Sequence, residues 1–184
     1  MTWKKVARRA RVPLGLVFTT LFLVLARPTW ASLWAGLPFV LLGLWLRGYA
    51  AGTLRKNTEL ATTGPYARTR NPLYLGSGLM VLGFAIVSTQ WYDFVVFAAL
   101  FYAVYYPTIL SEEERLRGRY AGFEEYMRAV PRIVPRLLPA KLGKDVGGGF
   151  AWPVYVKNRE YQALMGSAAM YAVLVARVVF YSQH

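Results

Sequence analysis

Five stretches of this chain are apolar over lengths that a helix needs to cross about 30 Å of hydrocarbon, roughly 17 to 25 residues. They run from about Val12 to Ala26, Leu33 to Ala50, Leu73 to Ser88, Phe94 to Leu110 and Ala163 to Tyr181. The last carries Arg177 but is otherwise apolar. The first follows a basic segment, as in a cleaved leader, yet no small-residue cleavage site follows it and four more apolar runs do. Helices buried in a soluble core would show a polar face. The first, third and fourth runs show none, and Trp3, Trp30, Trp34, Trp91, Tyr92 and Trp152 stand near the run ends, where an interfacial aromatic belt would lie.

Charge then orders the runs. The chain has 22 Lys and Arg against 9 Asp and Glu, which by itself suggests an anionic partner such as nucleic acid. Counted connection by connection, the basic residues alternate. Lys4, Lys5, Arg8, Arg9 and Arg11 precede the first run, and Arg27 alone follows it. Arg47, Arg55, Lys56, Arg68 and Arg70 lie around the next connection, and none lies between Ser88 and Asp93. Ten, from Arg115 to Arg159, occupy the last connection. The positive-inside rule reads this as a cytoplasmic N-terminus and a C-terminus on the far side. The charge describes orientation, and no nucleic-acid partner is expected. With no Cys and one His, His184, no metal site is expected either. The expected fold is an all-α, polytopic membrane bundle of about five helices, one membrane domain over residues 1–184. Residues 51–72 and 111–160 are its long cytoplasmic segments.

Those two segments carry the chemistry. In the first, Gly64-Pro65 forces a turn. Asn71-Pro72 reads as a helix start, Asn at the N-cap and Pro at N1, so an anion is favoured at the positive end of the third helix. Tyr66, Arg70 and Tyr74 flank that point, and Gly76-Ser77-Gly78 lets another group approach closely. On spacing alone, Arg70 and the tyrosines are equally readable as interface anchors. In the second, Glu112 to Glu114 follow directly on an apolar run, so the fourth helix is expected to continue through them. Glu114 reads as a solvated residue pairing with nearby arginines. Carboxylates at a membrane helix end usually have a cationic or hydroxyl partner. Gly147-Gly148-Gly149, Pro139 and Pro153 divide this segment into a helical and a flexible half. In the last run, Gly166 to Ala169 form a small-residue face suited to close packing, and Arg177 either snorkels to the far interface, the favoured reading, or finds a partner in the bundle.

The two segments together resemble the isoprenylcysteine carboxyl methyltransferase and phospholipid methyltransferase superfamily of membrane enzymes, over about residues 55 to 136. The first block stands as Gly64-Pro65-Tyr66 and Arg70-Asn71-Pro72-Leu73-Tyr74-Leu75-Gly76. The second stands as Glu112-Glu113, Leu116, Tyr120, Phe123, Tyr126 and Val130-Pro131-Arg132. The resemblance implies an S-adenosylmethionine site made by Thr58, Glu59, Leu60 and Ala61, then Tyr66, then Asn71, Pro72, Leu73 and Tyr74, with Arg70 beside them and Glu112. The cofactor's carboxylate would sit at the helix start and its ammonium at Glu112. The acceptor would be a lipid or prenylated small molecule, and for an amine acceptor Glu113 is the candidate base. Asn71 stands where the superfamily usually has His. Thr108 stands where the isoprenylcysteine enzymes carry Arg, which points away from a prenylcysteine carboxylate, and the spacing leaves the register between Glu112 and Glu113 open by one position. Prenylcysteine-type carboxyl methylation and phospholipid N-methylation both fit. A rival from another class is a non-catalytic scaffold whose basic face holds anionic lipid.

Overall fold

A computed structural model describes residues 19–56, 58–140 and 149–182. The expected first span is helical over residues 19–25 (α1), and its residues 12–18 lie outside the described part. So do the N-terminal basic cluster, Lys141, Lys144, Gly147, Gly148 and His184. The long helices follow as α2 (Trp30–Thr53), α3 (Pro72–Ser88), α4 (Trp91–Leu100) continuing into α5 (Tyr106–Arg117), and α8 (Tyr161–Ser182). Two short ones, α6 (Phe123–Ala129) and α7 (Trp152–Lys157), lie in the last connection. Among the described residues there is no strand. Three helices are long and apolar enough to cross a membrane, Trp30–Thr53, Trp91–Arg117 and Tyr161–Tyr181, and α3 is a shorter apolar helix. The chain is an all-helical membrane protein.

Local chemistry sets the helix limits. Thr29 and Ser32 form a reciprocal capping box at the start of α2. At its other end Asn158 Nδ2 donates to the carbonyls of Ala51 and Leu54, at 2.8 and 2.9 Å, and so supplies donors that the last turn lacks. The α4–α5 span passes through a π-helical turn, Phe101–Tyr105, just before Pro107. Proline has no N–H to give and its ring crowds the carbonyl four residues back, and the wider turn relieves both. The span then runs on through Glu112, Glu113 and Glu114 to Arg117, as the unbroken apolar run implied.

The bundle is organised around α2 and α3, which run antiparallel in close contact. Ser32 Oγ donates to the Val87 carbonyl at 2.9 Å. Further along, Gly36 meets Gly83, and seven residues on in each helix Gly43 meets Gly76. A Cβ at Gly36 would stand 2.4 Å from the Gly83 oxygen, and one at Gly43 2.5 Å from the Gly76 oxygen. Only glycine permits this approach. Gly76 therefore allows the close approach its sequence setting suggested, and the approaching group is α2. Phe22 and Ala26 of the α1 region, Leu33 and Val40 of α2, Phe84 and Val87 of α3, Phe97 of α4, and Leu174 and Val178 of α8 share one apolar core.

Two expectations for α8 change. Its small-residue face is mostly open, since a Cβ at Gly166 would meet nothing within 4 Å and only Ser167 of that group is buried. The helix packs instead through the larger Leu174 and Val178 nearer its end, which bury more apolar area. Arg177 does not simply snorkel. Its guanidinium donates to the carbonyls of Leu23 and Val24 and lies over Tyr181, 5.5 Å from the ring centre, so the charge is dispersed over backbone oxygens and an aromatic face.

Candidate functional site

The connectivity puts the ends of α2 and α5 and the starts of α3 and α8 at one end of the bundle. There the two motif blocks, some forty residues apart in sequence, are joined. The Arg70 N–H donates to the Pro131 carbonyl, Arg136 N–H to Arg68 and Ala140 N–H to Ala67, at 2.9, 2.9 and 2.8 Å. The Thr69 hydroxyl bridges the carbonyls of Arg132 and Ile133. Asn71 does occupy the N-cap position before Pro72, but its side chain does not cap the helix. Its Nδ2 reaches across to the Arg132 carbonyl at 3.0 Å. From the other side, the Tyr126 hydroxyl of α6 donates to the Tyr66 carbonyl at 2.9 Å. Gly64, at φ +58°, begins the 3-10 turn Gly64–Ala67 that presents this carbonyl.

At the centre is Glu113, buried near the end of α5. Arg132 holds it in a fork, with Nε 3.1 Å from Oε2 and Nη2 2.9 Å from the same oxygen. Arg70 approaches from the other side, Nη1 lying 2.9 Å from Oε1. The Arg70 contact has the distance of an ion pair without the angles of a hydrogen bond, so the buried Nε and Nη1 of Arg70 lack a hydrogen-bond acceptor. Two cations and one carboxylate leave the cluster with a net positive charge. Burial lowers the pKa of Arg70, against the opposing pull of Glu113, whereas the hydrogen bonds to Glu113 raise that of Arg132. Arg132 also lies over Tyr106, 6.0 Å from its ring centre.

The other expected residues divide. Ala61 packs with Tyr66 and Ala50, with Leu73 and Leu54 against them. Leu60 packs on the Phe123, Tyr126 and Val130 cluster. Tyr74 meets Tyr105 edge-on at 5.3 Å. Glu112 is half-buried, and its charge, with that of Glu160, reinforces a rise in the Tyr66 pKa whose main cause is burial. Thr58 and Glu59 make local contacts with Arg55. Thr58 Oγ1 donates to the Arg55 carbonyl at 2.9 Å, and Glu59 pairs with Arg55 at 3.1 Å. Thr58 lines a cavity of about 640 Å³ with Arg55, Lys56, Lys157, Asn158 and Arg159. Glu114 is exposed, as expected of a solvated residue, and Arg117 pairs with Glu124 of α6 at 2.6 Å.

Three participants escaped the sequence reading as site residues. Arg132 belonged to a quoted motif but had no assigned role. Arg47 lies inside α2, where its Nε is 2.5 Å from Glu160 and its Nη1 donates to Ser77 and the Leu73 carbonyl. An arginine inside a membrane helix needs a partner, and that rule alone could have flagged it. Glu160, between two helices, gave no signal of its own. Among the described residues no three His, Cys, Asp or Glu side chains gather as metal ligands.

A helical membrane protein with two interlocked, charge-rich loops at one end is the class this defines. Residues 31–122 match the phospholipid methyltransferase family model, and the chain belongs to that family. Over 89 residues it is 36% identical to the nickel-cobalt-cadmium resistance protein NccN of Alcaligenes xylosoxydans xylosoxydans. It is 37% identical over 89 residues to the cobalt-zinc-cadmium resistance protein CzcN of Cupriavidus metallidurans. Each alignment takes in 48% of this chain, which spans 40% of the length of each of these relatives. No solved structure matches it. Arg132 and Glu160 both lie beyond the stretch that the family model matches.

Proposed function

We propose that the chain is a membrane methyltransferase that uses S-adenosylmethionine to methylate a lipid-borne acceptor at the charged end of the bundle. The observation that carries the reading is the joining of the Tyr66–Asn71 and Val130–Arg136 segments around Glu113. The residues there fit the cofactor. The Arg70 Nε, which lacks a hydrogen-bond acceptor, suits its carboxylate. Glu112, half-buried beside Tyr66, suits its ammonium. Bound there, S-adenosylmethionine supplies a methyl group activated by a sulfonium. The protein's part is to hold the acceptor in line and keep water out. Tyr74 and Tyr105, packed edge to face, provide aromatic surface there, and positive charge is well tolerated beside aromatic faces. Tyr102 is turned outward, at 67% exposure, and has no part in it.

Glu113 takes a different role from the base suggested by its sequence setting. Both of its oxygens are engaged by guanidinium groups, which makes it a positioning residue that locks the two loops together. An acceptor that arrives with a lone pair already available suits such a site best. Prenylcysteine-type carboxyl methylation and phospholipid N-methylation remain the two acceptor classes. The Thr108 hydroxyl is spent on the Val104 carbonyl at 2.6 Å, so it offers little to a substrate carboxylate. The relatives are named for metal resistance. With no Cys and one His, this chain lacks the thiolate and imidazole sets that bind such ions well, so any part it has in resistance would run through its methylated product.

The charge pattern supports a site facing the cytoplasm. Calorimetry of the detergent-purified chain with S-adenosylhomocysteine is the primary test. Saturable binding that is lost in Tyr66→Ala and Glu112→Ala supports the proposal, and no binding by the parent chain rejects it. Labelled-methyl transfer to extracted lipids, sorted into base-labile and base-stable products, then separates the acceptor classes.

A further inference from the structure

Residues 131–140, Pro-Arg-Ile-Val-Pro-Arg-Leu-Leu-Pro-Ala, hold three large apolar side chains in the open: Val134 is 76% exposed, Leu137 90% and Leu138 75%. The segment is fixed in place. Its backbone is bonded to residues 67, 68 and 70, and Arg68 Nη1 donates to the Leu137 carbonyl at 2.5 Å. Residue 70 lies two positions before the first residue of α3, so this segment sits at the level where the bundle's helices end. In a membrane that level is the headgroup region. Prolines at 131, 135 and 139 remove three backbone donors, and Arg136 and Ala140 already spend theirs on Arg68 and Ala67. The segment's remaining N–H groups can be met by water, which the headgroup region supplies, so a non-helical segment can lie in the interface.

We infer that residues 134–138 form an interfacial foot that inserts Val134, Leu137 and Leu138 into the adjacent leaflet, with Arg68 and Arg136 among anionic headgroups. Both arginines are exposed, and among the described residues each spends one nitrogen on a carbonyl, Leu137 and Ala129 respectively. The remaining donors suit phosphate. Apolar tips under a cationic collar fit a lipid surface better than an aqueous one. The inference stands apart from the proposed reaction and holds whatever the acceptor is.

The chain has no Cys, so Val134→Cys, Leu137→Cys and Leu138→Cys each create a unique site for a nitroxide spin label. Glu125→Cys, exposed on α6, is the aqueous control. In phosphatidylcholine nanodiscs, oxygen should relax the labels at 137 and 138 more strongly than a water-soluble nickel chelate does, with the order reversed at 125. Adding phosphatidylglycerol should move both labels deeper, and Arg136→Gln should reduce that shift. Labels at 137 and 138 as open to the chelate as the label at 125 would overturn the inference. So would labels shielded from both relaxants, which would mean that a protein surface covers the foot. No response to phosphatidylglycerol would overturn the headgroup contact.

Discussion

Replacing Glu113 by Gln is the sharpest test of the cluster that joins the two motif blocks. The substitution keeps the shape and removes the charge. Glu113 and Arg70 have side chains only 10% and 11% exposed, whereas Arg132 is 35% exposed and partly served by water. At 2.9 Å the gross attraction between Glu113 and Arg70 is about 6 kcal/mol at an effective dielectric constant of about 20. Desolvation of both groups offsets much of it, but the cost of breaking a buried pair is the cost of stranding its partner, about 3–5 kcal/mol. Glu113→Gln should therefore destabilise the chain by about 3 kcal/mol, most of it arising at Arg70. Denaturant unfolding in detergent micelles, followed by circular dichroism, would measure it. Arg70→Met in the Glu113→Leu background should regain much of the loss, because replacing a buried ion pair by apolar groups of similar volume is often neutral or better. S-adenosylhomocysteine binding, measured in parallel, should weaken as the loops separate. If Glu113→Gln kept its stability to within about 1 kcal/mol and its ligand binding, yet lost methyl transfer to an amine alone, the clamp would be wrong and Glu113 would be a base.

The glycine pairs give a contrast within one helix bundle. Gly36→Ala and Gly83→Ala should each cost about 1–3 kcal/mol by forcing α2 and α3 apart, since the new methyl would meet a backbone oxygen at 2.4 and 2.7 Å. Gly166→Ala, with nothing within 4 Å, should be neutral or slightly stabilising in the same unfolding assay. Arg47→Leu and Glu160→Leu should each destabilise more than the double variant, a coupling that a double-mutant cycle would read directly. Burial raises the pKa values of Tyr66 and Tyr126 above the ordinary phenol value of about 10. The stability tied to their neutral forms is thus whole below that pH and is lost as pH rises above it. Tyr126→Phe should make the alkaline loss shallower, while costing about 1–3 kcal/mol at neutral pH by stranding the Tyr66 carbonyl.

What could be read from the chain follows from the range of the forces involved. Span positions depend on local apolarity, and a bilayer imposes one length on all of them, so α2, α3, the α4–α5 span and α8 stand close to where the runs place them. The turn at Gly64 and the start at Pro72 are equally local, because a positive φ and a missing N–H act within a residue or two. Asn71 marks where this stops. Its position at the helix start is a local matter, but whether its amide caps the helix or crosses to Arg132 depends on a segment sixty residues away. The same holds for Glu113, which local sequence makes an acid at a helix end and only the fold makes the centre of a clamp. Gly76 reads in sequence as a place of close approach, but that the approaching group is Gly43 is visible only once Gly36 and Gly83 are seen to repeat the pairing seven residues away. That repeat is present in the sequence, but it has meaning only for two helices known to be antiparallel neighbours. Charge shows the same boundary. The number of basic residues in each connection is a local matter, because it is set one connection at a time. Which of them would be spent on Glu113, Glu160 or a backbone carbonyl was settled by the packing of α2 against α3, which fixes where residues 67–70 and 131–140 can meet.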